Sequence, residues 1–282
     1  MGPEAGTLRA RDGLELALYR WPLEAPRATC LLIHGYAEHT GRYGALADAL
    51  RAAGIEVWAI DLRGHGRSPG PRADVRLFAD YIDDVSRLAD RIEAERAGLP
   101  HVVLGHSMGG AIGLRFALEG PRPPAALVLS SPFLRPAVPP PSWMSGLAAG
   151  LASTLPRLPV QPLDAKALSR DPAVVEAYRR DPLTYTGWVK ARMGHELVRS
   201  GPPLLERASA LQPPTFIVHG SADALADPGA SRELAAAVGD GRVTLKIYDG
   251  GYHELFNDLE REVVTADLLA WLDEQLPPGS ER

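Results

Sequence analysis

The sequence is poor in cysteine: its 282 residues contain one, Cys30, so no internal disulfide can form. No apolar run reaches the roughly 20 residues that a membrane-spanning helix needs. The first residues lack the basic and apolar segments of a secretory signal peptide. From these absences we expect a cytoplasmic protein.

An excess of positive charge is also absent. The formal net charge is -5 and no basic stripe is found, which argues against nucleic acid as a partner. The residue spacings typical of zinc ligands are missing too. Neither His39 nor His65 has a cysteine partner, and neither has a carboxylate together with a second histidine four residues away. We predict no metal site and no cofactor, and expect His34 and His65 to stabilise a loop and a turn.

The sequence does contain a regular alternation of strand and helix patterns. Two alternating segments on either side of Asp12-Gly13 predict a hairpin with a two-residue turn. Apolar runs then alternate with segments of helical periodicity, the runs being CLLIH, IEVWAID, HVVLGH and AALVLSS. This order predicts an α/β fold with a mostly parallel sheet and helices on both faces.

The alternation is interrupted between residues 132 and 205. Prolines crowd the start of this segment and no convincing strand is found in it, but short helices are expected at 142–155 and 172–180. Strand and helix patterns then resume. We predict a core formed by 1–131 and 206–282, with a helical lid inserted at 132–205 after the sixth strand.

A reactive-serine motif lies where a strand turns into a helix: Gly105-His106-Ser107-Met108-Gly109 matches G-x-S-x-G. Such an abrupt turn leaves little room beside the serine, so the residues two before and two after it must be nearly free of side chain. Unpaired N–H groups at the helix N-terminus are suited to an oxyanion. Ser107 is therefore a candidate nucleophile; the alternative is a glycine-rich corner with an incidental serine.

A serine nucleophile needs a histidine base. In the fold that carries this strand–turn–helix motif, here called the elbow, the chain order is serine, acid, histidine. Three histidines follow Ser107, namely His195, His219 and His253. His195 falls in the insertion, and His219 ends an apolar strand and points toward the first acid candidate. His253 alone follows the last predicted strand, so we predict that it is the base.

The acid must lie between Ser107 and His253. The loop after TFIVHG offers Asp223, directly past the strand end, and Asp227. Asp227 precedes Pro228 at the start of a helix, which is typical of an N-cap. We therefore predict that Asp223 orients the histidine and that Asp227 caps the helix.

An oxyanion hole needs two backbone donors. One is the N–H of Met108, just past the nucleophile, and the other comes from the loop HGYAEHTGRY. The N–H that follows His34-Gly35 in this loop belongs to Tyr36. We predict that Tyr36 and Met108 supply the two donors.

Six segments together resemble the monoacylglycerol lipase and lysophospholipase branch of the α/β-hydrolases: LLIHGYAEHTGRY, AIDLRGHGRSPGPR, LGHSMGGAIGLRFA, VLSSPFL, FIVHGSADALADPGAS and LKIYDGGYHELFND. The motif DPLTY in the insertion adds to the likeness. The resemblance runs from about residue 14 to residue 276. It implies an eight-stranded α/β-hydrolase core, a helical lid over the site, and cleavage of esters that carry a single acyl chain.

The resemblance also implies roles for individual residues. It places the nucleophile, acid and base on the residues already singled out, Ser107, Asp223 and His253. The positions that match the polar end of the substrate site, where glycerol is bound, are Glu38, Arg42, His106 and Tyr178.

The predicted helix at 142–155 carries no charge, and Trp143, Leu147 and Leu151 recur on one face of it. One interpretation is an apolar face that lines an acyl pocket and contacts membrane or lipid surfaces transiently, making the protein peripheral at membranes. The other is a lid helix packed on the body of the protein. Both remain open at this point.

These patterns predict a serine hydrolase, with a small lipid ester such as monoacylglycerol as its substrate. The alternatives are a lysophospholipase, a broad carboxylesterase or thioesterase, and a lipid- or signal-binding protein without turnover. A dehalogenase or epoxide hydrolase is disfavoured, because those enzymes have aspartate in place of Ser107.

Overall fold

The computed structural model describes residues 2–120, 122–139, 144–239 and 241–276. Its centre is an eight-stranded sheet. In spatial order, the strands are β1 (Glu4–Arg9), β2 (Glu15–Trp21), β4 (Ile55–Ile60), β3 (Ala28–Ile33), β5 (His101–His106), β6 (Ala126–Ser130), β9 (Thr215–Gly220) and β10 (Val243–Tyr248). Strand β2 is antiparallel to both neighbours, and the remaining pairs are parallel. The predicted α/β-hydrolase core is confirmed.

The central strands form because their apolar runs are buried on both faces. Every residue of β3, β4, β6 and β9 is buried, as expected for parallel strands covered by helices. Strand β1 lies at an edge and is mostly exposed. The β1–β2 turn differs from the prediction: Ala10 N–H donates to the Leu14 carbonyl, so three residues rather than two form the turn, with Gly13 at φ 89°.

Helices cover both faces of the sheet. Helices α1 and α9 contribute Leu50 and Leu268 to the apolar cluster on one face, and α2, α3 and α8 contribute Leu88, Ile112 and Leu234 to the cluster on the other. Their bounds are α1 (Gly44–Ala52), α2 (Phe78–Glu95), α3 (Met108–Glu119), α8 (Pro228–Val238) and α9 (Arg261–Gln275).

The chain leaves the sheet after β6 and returns to it at β9. The insertion holds α4 (Met144–Thr154), β7 (Pro159–Pro162), α5 (Pro172–Arg180), β8 (Trp188–Lys190), α6 (Ala191–Ser200) and α7 (Pro202–Glu206). Its antiparallel β7–β8 ribbon was not predicted, since the sequence reading found no strand here. Helix α4 packs against α6 within the insertion. The role of this insertion as a lid stays a prediction.

None of the helices in the part of the chain that the structure describes is long and apolar enough to cross a membrane.

Candidate active site

Ser107 lies at the turn between β5 and α3, with φ 53° and ψ -116°, in a backbone region that L-residues rarely adopt. A Cβ at Gly105 would lie 2.2 Å from the Gly109 carbonyl oxygen, and a Cβ at Gly109 would lie 2.2 Å from the Ile33 carbonyl oxygen. Both contacts are with backbone, which cannot move aside. The steric reason for the two flanking glycines is therefore the one expected from the sequence.

Backbone hydrogen bonds hold this turn on every side. The Ser107 N–H donates to the Ser130 carbonyl at 2.9 Å. The Ser107 carbonyl accepts the N–H groups of Gly110, Ala111 and Phe133 at 2.9, 3.1 and 2.9 Å. The serine is thus fixed between two strands and the first turn of α3, with 7% of its surface exposed.

Asp223 and His253 form a buried pair, although 30 residues separate them. Nδ1 of His253 donates to Oδ2 of Asp223 at 2.7 Å. The ring of His253 lies 4.8 Å, centroid to centroid, from that of His106, the residue before Ser107. The structure thus brings the predicted acid and base together beside His106, the residue before the predicted nucleophile. Their catalytic roles stay a proposal.

The two imidazoles beside Asp223 favour the ionised form of its carboxyl group, and that carboxylate favours the protonated form of His253. Burial opposes the charge of Asp223, but the neighbouring His253 and His219 outweigh burial and hold the pKa of this carboxyl well below its ordinary value. Burial likewise opposes a charge on His253, yet the Asp223 carboxylate raises the pKa of His253 above its ordinary value. Burial lowers the pKa of His106 to about 4, so the neighbouring ring is neutral near pH 7.

The second acid candidate has a structural role. Asp227 accepts the N–H of Gly229 at 2.8 Å as the N-cap of α8, with Pro228 at the first helical position. It also accepts Nε of Arg135 at 2.8 Å. The predicted N-cap is confirmed.

The loop after β3 runs directly beside Ser107. A Cβ at Gly35 would lie 3.3 Å from Cβ of Ser107. Tyr36 therefore follows at the position expected of an oxyanion donor, and its hydroxyl donates to the Ala73 carbonyl at 3.0 Å. Met108 is the first residue of α3, where backbone N–H groups have no partner within the helix. The two donor roles remain predictions.

A buried charge network supports this loop. Glu38 accepts the N–H of Gly35 and the hydroxyl of Tyr43, both at 2.6 Å. Arg42 donates to Glu38 at 2.8 Å and binds Glu254 through two hydrogen bonds of 2.6 Å. Burial opposes the charge of Glu38, but Arg42, the nearby rings of His106 and His34 and the Tyr43 hydroxyl together outweigh burial and lower the pKa of Glu38 to about 2. Since Glu254 follows His253 directly, the network joins the loop that carries His253 to the loop after β3.

Glu254 is not among the site residues that the sequence predicts. Its position next to His253 was a local signal, but its partner Arg42 lies 212 residues away, and such long-range pairs leave no pattern in one sequence.

The remaining polar candidates are buried and bonded within the protein. The hydroxyl of Tyr178 donates to the Ala37 carbonyl at 3.0 Å. Nδ1 of His106 lies 3.1 Å from the Ser130 carbonyl. The guanidinium of Arg42 lies 4.9 Å from the centroid of the Tyr178 ring. Arg42 thus links Glu38 to Tyr178, and a Cβ at Gly35 would lie 2.8 Å from Oε1 of Glu38 and 3.1 Å from the ring of His106, so His106 lies beside this cluster. Substrate contact by these four residues stays a prediction.

Of the three apolar candidates in the insertion, only Leu151 has a described side chain. Trp143 and the side chain of Leu147 lie outside the described part of the chain, and Leu151 is partly buried on α4.

His34 joins its own loop to the segment after β4, and His65 bonds within its own turn. Nε2 of His34 accepts the N–H of Leu62 at 2.9 Å, and Nδ1 of His65 lies 3.0 Å from the Arg63 carbonyl. Within the described residues, no three His, Cys, Asp or Glu side chains are grouped so that they could hold a metal ion.

Residues 24–260 match the family described as serine aminopeptidase, S33. A monoacylglycerol lipase of Mycolicibacterium smegmatis is 39% identical over 261 residues, which cover 92% of this chain and 93% of the relative.

Among solved structures, the monoacylglycerol lipase of Paleococcus ferrophilus is 33% identical with a TM-score of 0.80, covering 92% of this chain and 99% of that one. A monoglyceride lipase of Saccharomyces cerevisiae, crystallised with a substrate analogue, is 26% identical with a TM-score of 0.87, covering 99% and 96%.

Proposed function

The chain belongs to the serine aminopeptidase S33 family, in the monoacylglycerol lipase branch of the α/β-hydrolases, and on this basis we propose that it hydrolyses monoacylglycerols to glycerol and fatty acid. The observation that carries the proposal is the 2.7 Å bond between Asp223 and His253 beside the strained Ser107. A buried carboxylate and a strained serine are both unfavourable for stability, which favours catalysis over passive binding.

In the proposed reaction, Oγ of Ser107 attacks the ester carbonyl while Nε2 of His253 takes its proton. Asp223 holds the ring with Nδ1–H directed at its carboxylate and stabilises the imidazolium. The N–H groups of Tyr36 and Met108 bind the negative oxygen of the tetrahedral intermediate.

The same groups complete the cycle. His253 gives its proton to the glycerol oxygen, which leaves an acyl group on Ser107. Water then attacks the acyl carbonyl while His253 takes its proton. The bond between the acyl carbon and Oγ of Ser107 breaks, His253 returns the proton to that oxygen, and the fatty acid departs. Neither a metal nor an organic cofactor is needed for these steps.

We further propose that the ester lies between the elbow and the insertion. Glu38, Arg42, His106 and Tyr178 would meet the glycerol end, since their contacts bring them to one side of Ser107. The insertion would act as a lid whose apolar residues, Trp143, Leu147 and Leu151 among them, receive the acyl chain. Transient contact of this lid with lipid surfaces is part of the same proposal.

A hydrolysis panel tests the substrate class. It compares kcat/KM for monoacylglycerols of several chain lengths, lysophospholipids, triacylglycerols and short p-nitrophenyl esters. We expect the monoacylglycerols to give the highest values. Preference for lysophospholipids or for short soluble esters would overturn the substrate assignment, and failure of a fluorophosphonate probe to label Ser107 would favour a binding protein.

A further inference from the structure

His219 is a buried histidine that the proposed reaction does not use. It lies near the end of β9 and is 0% exposed. Its Nε2 lies 3.1 Å from Oδ2 of Asp223 and 3.2 Å from the Ala226 carbonyl, and its Nδ1 lies 2.8 Å from the hydroxyl of Ser231. A buried chain of polar groups therefore runs from Ser231 through His219 and Asp223 to His253.

The partners of His219 determine where its proton is. A carboxylate oxygen and a carbonyl oxygen accept hydrogen bonds and cannot donate them, so Nε2 must carry hydrogen. In the neutral ring, Nδ1 then accepts a hydrogen bond, and the hydroxyl of Ser231 donates it. His219 is thus a donor to Asp223.

Two imidazoles share one carboxylate oxygen in this arrangement. Oδ2 of Asp223 receives His253 at 2.7 Å and His219 at 3.1 Å, and Oδ1 receives the N–H groups of Leu225 and Ala226 at 2.8 and 3.0 Å. Four donors fix the plane of the carboxylate. They also share its negative charge, so the carboxylate is a weaker acceptor for His253 than it would be in an isolated aspartate–histidine pair.

We propose that His219 is a positioning residue of the hydrolase: its hydrogen bond to Oδ2 holds Asp223 in line with His253 and limits how strongly the carboxylate stabilises the imidazolium. This inference rests on the proposed function. The other groups that face His253 are Glu254, Glu38 and His106, which come from three separate segments and are unchanged by a substitution at His219.

A matched pair of amide substitutions tests the proposal. His219→Gln carries an amide nitrogen about as far from the backbone as Nε2, so it can still donate to Asp223. His219→Asn has the same chemistry but is one methylene shorter and cannot reach Oδ2. The pH dependence of kcat and KM is measured on one soluble ester, with active sites counted by a fluorophosphonate probe.

For His219→Asn we expect kcat to fall about three- to tenfold and KM to stay within about twofold, because the loss concerns a group that acts through His253. Without the second donor, Asp223 stabilises the imidazolium more strongly and the pKa of His253 rises. The acid limb of kcat/KM should therefore move about half a pH unit upward. His219→Gln should keep the wild-type limb.

The proposal is overturned if both variants keep the wild-type acid limb and lose activity only in proportion to the folded fraction. If His219→Asn does not fold, nitrogen-15 NMR of the histidine-labelled wild type decides: an Nε2–H tautomer at His219 supports the proposal, and an Nδ1–H tautomer overturns it. This measurement needs no turnover. A wild type that neither labels at Ser107 nor cleaves esters would instead contradict the proposed function.

Discussion

At the scale of single residues, two aspartates four positions apart in one loop have different surroundings. Asp223 is buried and faces two imidazoles. Asp227 is partly exposed, caps α8 and pairs with Arg135. Both assignments follow from the sequence, because one residue follows a strand end directly and the other precedes a proline at a helix start.

Matched substitutions separate the two aspartates. Asp223→Asn should lower kcat by about 10³- to 10⁴-fold, because the amide no longer holds the histidine in the correct tautomer. Asp227→Asn keeps an efficient N-cap and loses only a partly exposed ion pair worth about 0–1 kcal/mol, so its kcat should be unchanged. Steady-state kinetics on folded protein measures both. Equal losses in the two variants would contradict the assignment.

The titration of His253 predicts a pH dependence. The Asp223 carboxylate raises the pKa of this histidine above its ordinary value near 6.5. The protonated ring cannot accept the serine proton, so kcat/KM should fall as pH decreases through that raised pKa. A pH profile of kcat/KM measures it, and an acid limb well below pH 6.5 would be inconsistent with the pair.

At the scale of elements, the strand–turn–helix elbow depends on backbone contacts that exclude any side chain. Gly109→Ala would press a methyl group against the Ile33 carbonyl of β3, and the cost should be at least about 1–3 kcal/mol. Gly44→Ala is the matched control, because Gly44 begins α1 in helical conformation and a Cβ there meets nothing within 4 Å.

Urea denaturation measures both glycine variants. Gly44→Ala should leave the free energy of unfolding unchanged or raise it by about 0.4–1 kcal/mol, since alanine restricts the unfolded chain. A Gly109→Ala variant as stable as the wild type would show that the elbow has more room than the structure gives it.

Elements with strong periodicity were predictable, and short exposed ones were not. Buried apolar runs identified the strands of the sheet, and Asp171-Pro172 gave a capped helix start for α5 where the sequence predicted one. The β7–β8 ribbon escaped prediction because β7 is four exposed residues with proline at both ends. So short a segment shows no alternation, and its pairing depends on a partner about thirty residues away.

At the scale of the whole molecule, Asp258 joins the insertion to the loop that carries the histidine. It accepts the side-chain and backbone N–H groups of Arg170 at 2.8 Å each, and the N–H of Tyr252 at 3.1 Å. Burial opposes its charge, but the Tyr252 and Arg170 donors outweigh burial and lower the pKa of Asp258. Arg170 also pairs with Glu260 at the surface.

Asp258→Asn should reduce the free energy of unfolding by about 2–3 kcal/mol, because the half-buried Arg170 loses its buried anionic partner. It should also lower kcat/KM, since the loop before His253 loses its anchor. Glu260→Gln is the control: this side chain is 40% exposed, so the loss should stay below about 1 kcal/mol. Equal losses in urea denaturation would contradict the proposed anchor.

Long-range pairs limited what the sequence could predict about the site. The order serine, acid, histidine selected three candidates, because each follows a strand and the carboxyl ends of parallel strands meet at one edge of the sheet. The bond of Tyr178 to the loop after β3 and the Arg42–Glu254 pair join segments 141 and 212 residues apart. Such contacts depend on how the insertion and the loops at the strand ends pack, which single-sequence periodicity does not specify.

The central claim is that Ser107 is the nucleophile of a monoacylglycerol hydrolase. The most direct test is kcat/KM for release of glycerol from one monoacylglycerol, measured for the wild type and for folded Ser107→Ala. We predict efficient turnover by the wild type and a loss of about 10³-fold or more in the variant, because the members of the triad act as a unit. A variant with near wild-type activity, or a wild type without turnover, would contradict the claim.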